Sequence, residues 1–430
     1  MTARKRIVIV GAGFGGMAAA QRLERADADV VVIDRRNHHL FQPLLYQVAT
    51  ATLSPSEIAW PIRHILRKQA NARVLLATVT GVDIAGRAVL LEDGTRQPYD
   101  YLILATGAQH AYFGNDEWAE FAPGLKTLED ATSIRRKLLL AYEAAEREED
   151  PAKRRALLTF AIIGAGPTGV EMAGAVNELG RASLKGQFRT ITPDDIRVLL
   201  IEGGDRVLLN FAPELSAYTL DALRKLGVEI ELGQMVKAID EDGVSYGDKR
   251  LDTKTIIWAA GVAASPAGKW LGAEMDRSGR VIVEPDLTLH GHSEIFVVGD
   301  TASIKKDDGK PVPGVAPAAK QAGLHAANMI LERLAGGEGN RAFAYNHAGD
   351  LATIGKRSAV IDFGRIKLRG ALAWWVWGIA HIYFLVDLKN RVFVTLNWLW
   401  IYLTGQHRNR LITHGQAPAR APIKEVTEGK

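Results

Sequence analysis

Two glycine-rich loops, each between an apolar β-branched run and a helix-forming stretch, constrain this chain more than any other feature. The first, Gly11 to Gly16, follows the run Ile7 to Val10, and the second, Gly164 to Gly169, follows Phe160 to Ile163. The spacing G-x-G-x-x-G between a strand and a helix is typical of a Rossmann unit that holds a dinucleotide. One such motif is weak evidence, but two in register with strands predict two dinucleotide sites.

The glycines of each loop have separate predicted roles. Gly11 permits a tight turn, Gly13 lets the backbone approach a pyrophosphate, and Gly16 allows the helix to pack closely on the strand. Glu171, one turn into the second helix, either faces a nicotinamide or complements the helix dipole. The alternative for each loop is a glycine-rich turn without a ligand. In the second loop the same three roles fall on Gly164, Gly166 and Gly169.

An acidic residue ends the next strand of each unit. Asp34 follows the run Val30 to Ile33, and Glu202 follows Val198 to Ile201. A carboxylate at this position accepts hydrogen bonds from ribose hydroxyls and repels a 2′-phosphate. Glu202 therefore favours NADH over NADPH, although Arg206 lies near enough in sequence to weaken that preference.

Further apolar runs extend both units. Val74 to Leu76 and Tyr101 to Leu104 are predicted strands of the first unit, and Thr255 to Gly261 closes the second. Leu128 to Glu149 has helical spacing, and Glu294 to Asp300 resumes the pattern of the first unit. The predicted fold class is α/β, with two Rossmann-type dinucleotide-binding domains, the second inserted in the first, and a C-terminal region. The predicted segments are 1–125 and 285–335 for the first domain, 126–284 for the inserted domain, 336–415 for the C-terminal region and 416–430 for a flexible tail.

Composition excludes several kinds of chemistry. The 430 residues include no cysteine, which rules out disulfides, thiolate metal sites, iron–sulfur clusters and a catalytic thiol. His38, His39 and His381 lack metal-ligand spacing, so we expect no metal site. Arg4 to Arg6 leads directly into the first strand without an apolar signal segment, which favours the cytoplasm. We expect no nucleic-acid partner.

Three motifs resemble the FAD domain of two-dinucleotide flavoproteins. They are the loop from Gly11 to Gly16, the Ala-Thr-Gly sequence at 105–107, and the strand end from Ile295 to Asp300. In that superfamily the Asp of the last motif contacts the ribityl chain, a role that maps to Asp300. The resemblance implies an FAD site formed by Gly11, Gly13, Phe14, Gly15, Gly16, Asp34, Gln47, Val79, Ala105, Thr106, Gly107, Gly299, Asp300 and Ala318.

Longer segments resemble one family within that superfamily. Phe41 to Ala49, Gly169 to Gly174 and the region from Ile354 to Trp400 are similar to type II NADH dehydrogenase, the single-subunit NADH:quinone oxidoreductase. The resemblance covers nearly the whole chain. It implies that NADH is held by Gly164, Gly166, Thr168, Gly169, Glu171, Glu202, Ala260 and Gly261.

The family has a quinone-site motif, Ala-Gln-x-Ala-x-Gln, on a helix beside the flavin. The matching stretch begins at Ala316, and Pro317 stands where the first Gln is usual. Proline has no N–H and no amide side chain, so that position loses its quinone contact. Gln321 retains an amide that can donate to a quinone carbonyl. The resemblance implies a quinone site formed by Ala316, Ala319, Lys320 and Gln321.

The C-terminal region combines apolar runs with basic residues. Ala371 to Val386 is a run of 16 residues without Asp, Glu, Lys or Arg, and Val392 to Leu403 is another apolar run. Both are shorter than the ~20 residues of a spanning helix. Residues 351–430 hold 12 Lys and Arg against 4 Asp and Glu, although the net charge of the chain is only +4. The flanking bases are Arg365, Lys367, Arg369, Lys389, Arg391, Arg408 and Arg410.

Five of the nine tryptophans also lie in this region, namely Trp374, Trp375, Trp377, Trp398 and Trp400. Tryptophan prefers the headgroup boundary of a bilayer, and a cation near anionic lipid contributes ~1 kcal/mol. The pattern predicts peripheral attachment to an anionic membrane surface. The alternative is a homodimer interface or a core helix pair that uses the same aromatic residues.

The resemblance implies that NADH reduces bound FAD by hydride transfer and that two electrons then pass to a membrane quinone without proton pumping. The site would lie at the cytoplasmic face of the cell membrane. Glu171 and Gln321 are the candidate catalytic residues, with Glu171 also assisting proton delivery. Two alternatives stay open: a soluble NADH oxidase or NADH-dependent reductase of a small electron-carrier protein, and a flavin-bearing redox sensor or scaffold.

Overall fold

The computed structural model describes residues 4–306, 309–385, 388–404 and 409–412. The predicted tail at 416–430, Val386 and Arg408 lie outside these residues. The helices in the described part of the chain are α1 (Phe14–Arg22), α2 (Leu45–Ala49), α3 (Pro55–Ile58), α4 (Ile62–Ile65), α5 (Leu128–Arg147), α6 (Pro151–Leu157), α7 (Pro167–Leu184), α8 (Pro213–Leu226), α9 (Ala267–Leu271), α10 (Ala316–Leu334), α11 (Gly370–Phe384) and α12 (Leu388–Thr404).

The strands in the same residues are β1 (Lys5–Val10), β2 (Ala28–Asp34), β3 (His38–Leu40), β4 (Ala59–Pro61), β5 (Ala72–Leu76), β6 (Val79–Asp83), β7 (Ala88–Leu91), β8 (Arg96–Pro98), β9 (Tyr101–Leu104), β10 (Ala108–His110), β11 (Thr159–Ile163), β12 (Arg197–Ile201), β13 (Val228–Glu231), β14 (Val236–Asp240), β15 (Gly243–Tyr246), β16 (Lys249–Asp252), β17 (Thr255–Trp258), β18 (Val262–Ala264), β19 (Val281–Ile282), β20 (Thr288–Leu289), β21 (His292–Val297), β22 (Ala302–Ser303), β23 (Asp350–Thr353), β24 (Ala359–Asp362) and β25 (Lys367–Arg369).

The first sheet has the order β20-β21-β9-β1-β2-β5 and is parallel except at β20. Its central strands are buried along most of their length, as expected for a sheet covered on both faces. Ile7 of β1 lies opposite Val30 of β2 on one side and Tyr101 of β9 on the other. The predicted strands at 74–76 and 101–104 both belong to this sheet.

The second sheet has the parallel order β13-β12-β11-β17. Phe160 of β11 lies opposite Val198 of β12 and Thr255 of β17. After this unit the chain returns to the first sheet, where Ile295 of β21 pairs with Leu102 of β9. The predicted insertion of one Rossmann unit within the other is therefore confirmed, while the residue numbers of the domain boundaries stay a prediction.

Both sheets reverse their strand order beside the strand that precedes a glycine loop. β1 lies between β2 and β9, and β11 lies between β12 and β17. In open α/β sheets, ligands bind at the carboxyl ends of the strands where the order reverses. The two glycine loops thus lie at the position in each sheet that suits a nucleotide.

The C-terminal region begins with structure that the sequence analysis did not anticipate. The strands β23, β24 and β25 form an antiparallel sheet, and the helices α11 and α12 follow it. Within the described residues, no helix has both the length and the apolar character needed to cross a bilayer.

Candidate active site

The first glycine loop turns sharply between β1 and α1. Gly11 has a φ of +95°, and a Cβ there would lie 2.3 Å from the carbonyl oxygen of Ala105. A Cβ on Gly16 would lie 1.8 Å from the carbonyl oxygen of Gly11, so both positions require glycine. Gly13, the N-cap of α1, has open space where its Cβ would be, and no side chain caps the helix. The first N–H groups of α1 are therefore available to an anion such as a phosphate.

The second glycine loop repeats this geometry between β11 and α7. Gly164 has a φ of +98°, and its Cβ would lie 2.6 Å from the Cα of Ala260. A Cβ on Gly169 would lie 1.8 Å from the carbonyl oxygen of Gly164. Gly166, the N-cap of α7, again has open space beside it and no side-chain cap. The chain thus contains two matching anion cradles, as the two motifs predict.

The two acidic residues hold their own glycine loops in place. Asp34 Oδ2 accepts a hydrogen bond from the Ala12 N–H at 2.6 Å, and Glu202 Oε2 accepts one from the Ala165 N–H at 2.5 Å. The other carboxylate oxygen of each accepts the backbone N–H two residues further along the chain, at 2.8 Å. Each carboxylate oxygen keeps a second lone pair, so a ribose hydroxyl can still donate to it. Asp34 and Glu202 can therefore order the loop and bind the ribose together.

The ends of β9 and β21 meet beside the first loop. The Gly107 N–H donates to the Thr301 hydroxyl at 2.8 Å, and the Thr106 hydroxyl lies 3.2 Å from the same oxygen. Asp300 precedes Thr301 and so lies at this junction. The Thr106 hydroxyl also lies 2.5 Å from the hydroxyl of Ser265, which follows β18. The three motifs that resemble a flavin domain are thus brought together in space.

Helix α10 packs directly on the first turn of α1. A Cβ on Gly15 would lie 3.1 Å from the Ala319 carbonyl oxygen, and one on Gly323 would lie 2.0 Å from the Gly15 carbonyl oxygen. Ala318 is buried, and a Cβ on Gly299 would lie 3.2 Å from that of Ala319. Small residues therefore bring α10 close to the predicted flavin loop. The predicted quinone residues Ala316, Ala319, Lys320 and Gln321 all lie in the first two turns of this helix.

The amide of Gln321 is already paired in this structure. Its Nε2 donates to the Asn346 carbonyl oxygen at 2.8 Å, and its Oε1 accepts the Asn346 N–H at 2.9 Å. One N–H of the amide stays available to a quinone. Pro317 lies in the first turn of α10, where a backbone N–H has no partner within the helix. The Lys320 ammonium lies 5.8 Å from the centre of the Phe384 ring, which connects α10 to α11.

The remaining predicted ligand residues lie at the borders of these sites. Phe14 begins α1, Val79 is buried at the start of β6, and Thr168 is exposed in the first turn of α7. Ala260 and Gly261 follow β17 at the point that corresponds to Ala105 to Gly107 in the first unit.

A cavity of about 60 Å³ lies where α7 packs against the C-terminal region. Gln47 lines it, and the two ends of its amide are used by the protein: Nε2 donates to the Tyr46 hydroxyl at 3.0 Å, and Oε1 accepts from Trp398 Nε1 at 2.8 Å. The Tyr46 hydroxyl also lies 2.9 Å from that of Thr353. This network joins α2, β23 and α12 around the cavity. Its members other than Gln47 were not among the predicted site residues.

Glu171 faces the same cavity. Its Oε1 accepts a weak hydrogen bond from the Thr353 N–H at 3.4 Å. Burial raises the pKa of Glu171 to about 8, so at neutral pH the side chain is mostly a carboxylic acid. A neutral acid adds little to a helix dipole, which weakens one of its two predicted roles. It can donate a proton, as a general acid does.

Four of the five C-terminal tryptophans divide into two groups, and the fifth, Trp374, is half-buried. Trp377 and Trp398 are 1% and 9% exposed and pack together in the core, whereas Trp375 and Trp400 are 54% and 41% exposed. His381 stacks on Trp377 with ring centres 4.1 Å apart, and burial lowers its pKa to about 4. The region is therefore partly a core helix pair and partly an exposed apolar surface.

Comparison with known proteins identifies the family. Residues 5–323 match the pyridine nucleotide-disulphide oxidoreductase family, and residues 347–407 match the NDH2 C-terminal domain. The chain is 44% identical to the type II NADH:quinone oxidoreductase Ndh of Mycobacterium tuberculosis, over 99% of this chain and 94% of that one. It is 30% identical to the mitochondrial internal alternative NAD(P)H-ubiquinone oxidoreductase A1 of Arabidopsis thaliana, over 95% of this chain and 86% of that one.

A solved structure has the same fold. The structure of NDH2 from Plasmodium falciparum in complex with NADH has a TM-score of 0.87 to this chain at 20% identity, and it covers 96% of this chain and 100% of that chain. The family matches, the identity over nearly the full length and the shared fold all agree. The chain therefore belongs to the type II NADH:quinone oxidoreductase family and is an oxidoreductase.

Proposed function

We propose that this protein oxidises NADH and passes the electrons through bound FAD to a quinone at a membrane surface, without pumping protons. The observation that carries the proposal is the pair of matching anion cradles, each with an uncapped helix N-terminus and a carboxylate at the next strand end. The family of the chain and the name of its mycobacterial relative support the choice of donor and acceptor.

The residues of the first cradle suit FAD. Gly11 and Gly13 leave room for the pyrophosphate at the start of α1, and Asp34 is available to a ribose. Asp300 would contact the ribityl chain. When bound, FAD supplies a centre that accepts hydride from NADH and releases two electrons to a quinone. The residues of the chain bind and orient the two nucleotides and exclude water from the site. Glu171 holds a proton.

The second cradle suits NADH, with Glu202 as the residue that selects it. Arg206 donates to the carbonyl oxygens of Leu209 and Phe211, and among the described residues no ion pair joins it to Glu202. The Glu202 carboxylate therefore acts on the ribose without a neutralising partner. Arg206 is therefore less able to weaken the preference for NADH than its place in the sequence suggests.

Replacing Glu202 with glutamine is expected to raise the KM for NADH about 10-fold, because a charge-assisted hydrogen bond of ~1.5 kcal/mol is lost. The ratio of kcat/KM for NADH to that for NADPH should fall as well, since the amide no longer repels a 2′-phosphate. Steady-state kinetics with both nucleotides measure this, and Glu241→Gln, an exposed site in the same domain, is the control. An unchanged nucleotide ratio would remove Glu202 from the specificity argument.

Exposed apolar side chains on α11 and α12 support attachment to a membrane surface. On α11 they recur at intervals of three or four residues and so share one helix face. Tryptophan and tyrosine among them favour the headgroup boundary. Apolar surface of this extent on a soluble domain is typical of an interaction site. The most exposed members are Leu372, Trp375, Ile379, Tyr383, Leu396 and Leu403.

Changing Trp375, Ile379 and Leu403 together to serine is expected to lower partitioning onto anionic vesicles at least about 10-fold, because burying such a side chain contributes ~1.5 kcal/mol. Vesicle sedimentation measures the partitioning. The matched control changes Leu76 and Met235, two exposed apolar residues of the nucleotide domains, to serine. If both variants stay on vesicles equally, the membrane does not contact this face.

The proposed reaction is tested by turnover of NADH under anaerobic conditions with a water-soluble quinone. Sustained oxidation of NADH with one quinol formed per NADH is the expected result. Turnover only when oxygen or a carrier protein is added would favour the soluble oxidase or reductase. Reduction that stops after one equivalent would favour the redox sensor. In sealed vesicles with the enzyme on the outside, turnover should produce no change of internal pH beyond passive leakage.

A further inference from the structure

Helix α7 carries a second carboxylate, half-buried, that the mechanism above does not use. Glu171, Ala175 and Glu178 occupy positions i, i+4 and i+7 and all line the cavity beside α7. At ~1.5 Å of rise per residue, the two glutamates are ~10 Å apart along the helix axis. That separation is too long for a direct hydrogen bond and suits a short chain of water molecules.

The cavity between the two carboxylates can hold such a chain. Its volume of about 60 Å³ has room for several waters. Ala175 keeps the stretch between the glutamates open because its side chain is a single methyl group. Trp377, 1% exposed, also lines the cavity, and its Nε1 has no hydrogen-bond partner among the described residues. Buried donors of this kind are usually satisfied by water.

The end of the cavity near Glu178 is polar and basic. Glu178 Oε1 accepts the Lys356 N–H at 2.9 Å, and Lys356 lines the cavity. The Arg357 guanidinium is exposed and lies 5.1 Å from the centre of the Tyr402 ring, which also lines the cavity. Glu178 is half-buried, so its carboxylate at this end of the cavity can exchange a proton with solvent.

The titratable groups around the cavity come from four elements. They are Tyr46 on α2, Glu171 and Glu178 on α7, Lys356 with Arg357 after β23, and Tyr402 on α12. Burial raises the pKa of both glutamates, while Lys356 and Arg357 oppose that rise at Glu178. Burial also raises the pKa of the Tyr46 phenol, which stays neutral. The two glutamates are therefore the carboxylic acids around the cavity whose protonated form is favoured by burial.

We propose that Glu178 is the entry residue of a proton path that crosses the cavity on water and ends at Glu171. The path rests on the proposed function, in which NADH, one proton and a quinone become NAD⁺ and a quinol. Hydride transfer brings two electrons and one proton from NADH, and solvent supplies the second proton. Glu178 takes that proton from solvent, the waters pass it to Glu171, and Glu171 replaces the proton it has given to the quinone oxygen.

Two variants test the path at different points. Ala175→Leu fills the cavity between the carboxylates, whereas Ala175→Ser, its control, keeps the space open and polar. Glu178→Gln removes the entry carboxyl, and Glu178→Asp should restore part of its effect. Anaerobic stopped-flow mixing separates reduction by NADH from reoxidation by a soluble quinone. In Ala175→Leu and Glu178→Gln we expect reoxidation to slow at least about 10-fold with an increased solvent isotope effect, while reduction by NADH changes less than about twofold.

A second readout does not depend on quinone chemistry. The Glu171 carboxyl can be followed by infrared spectroscopy during hydrogen–deuterium exchange into D₂O, with Glu171→Gln to identify its band. Exchange should be at least about 10-fold slower in Ala175→Leu and Glu178→Gln than in Ala175→Ser. Exchange and reoxidation at wild-type rates in Glu178→Gln would overturn the path. Failure of the wild-type protein to reduce any quinone would contradict the proposed function, and the exchange rates would still decide whether Glu178 supplies Glu171.

Discussion

Gly166→Ala is expected to lower kcat/KM for NADH at least about 100-fold while the protein folds and keeps its flavin. The space beside Gly166 holds no protein atom within 4 Å of the added Cβ, so the methyl group meets only the ligand. A displacement of ~1 Å at a reacting centre can lower a rate 10²-fold. Anaerobic flavin reduction by NADH, followed by its absorbance, measures the effect.

Two glycines within α7, Gly169 and Gly180, serve as comparisons for Gly166→Ala. Gly169→Ala places its Cβ 1.8 Å from the Gly164 carbonyl oxygen, so it should lose NADH reduction together with thermal stability of the inserted domain. For Gly180→Ala the nearest atoms to the added Cβ are in the side chains of Ile196 and Tyr142, at 3.1 to 3.2 Å and away from the glycine loop, so this variant should reduce its flavin at nearly the wild-type rate. If Gly166→Ala binds NADH normally, the second cradle does not hold the nucleotide pyrophosphate.

The second large effect is expected at Glu171. Glu171→Gln should slow reoxidation by quinone about 100-fold, because general acid catalysis by a positioned side chain contributes 10²- to 10⁴-fold. Reduction by NADH should slow far less than reoxidation does, because hydride transfer from NADH needs no proton from Glu171. Since burial raises the pKa of Glu171 to about 8, the acid is protonated at neutral pH and loses its proton as pH rises. The wild-type reoxidation rate should therefore fall above about pH 8, and that of Glu171→Gln should not.

Gln321→Ala is the comparison for this experiment. Both ends of the Gln321 amide pair with Asn346, so we expect its loss to affect quinone reoxidation less than Glu171→Gln does. Equal effects at both positions, or a pH profile of Glu171→Gln identical to that of the wild type, would contradict the assignment of Glu171 as the proton donor.

The nucleotide folds were predictable because their determinants are local. A positive φ at Gly11 and the close approach of Gly16 to Gly11 follow from the loop between one strand and one helix. The carboxylate positions follow from the next strand end, as Asp34 and Glu202 illustrate. Such features depend on residues within one βαβ unit, and the sequence displays them directly.

The cavity was not predictable in the same way. Tyr46, Glu171, Thr353 and Trp398 meet there from four parts of the chain that are more than 40 residues apart. No periodicity within one segment predicts such a meeting. The pairing of Gln321 with Asn346, 25 residues apart in sequence, was missed for a related reason. The sheet of β23 to β25 is local, but its strands of three or four residues are too short to show a clear alternation of apolar and polar residues. Tyr46, Glu171 and Trp398 did stand in the three segments that resemble the family, and Gln47 and Glu171 were predicted site residues. These were the sequence signals near the cavity.

The most direct test of the account is the flavin itself. The protein purified from its expression host should be yellow, release one FAD per chain on denaturation, lose its flavin absorbance on anaerobic addition of one equivalent of NADH, and regain it on addition of a soluble quinone. A colourless protein that stays colourless after incubation with FAD, or one whose bound flavin NADH does not reduce, would contradict the claim that the two cradles hold an NADH–FAD electron-transfer pair.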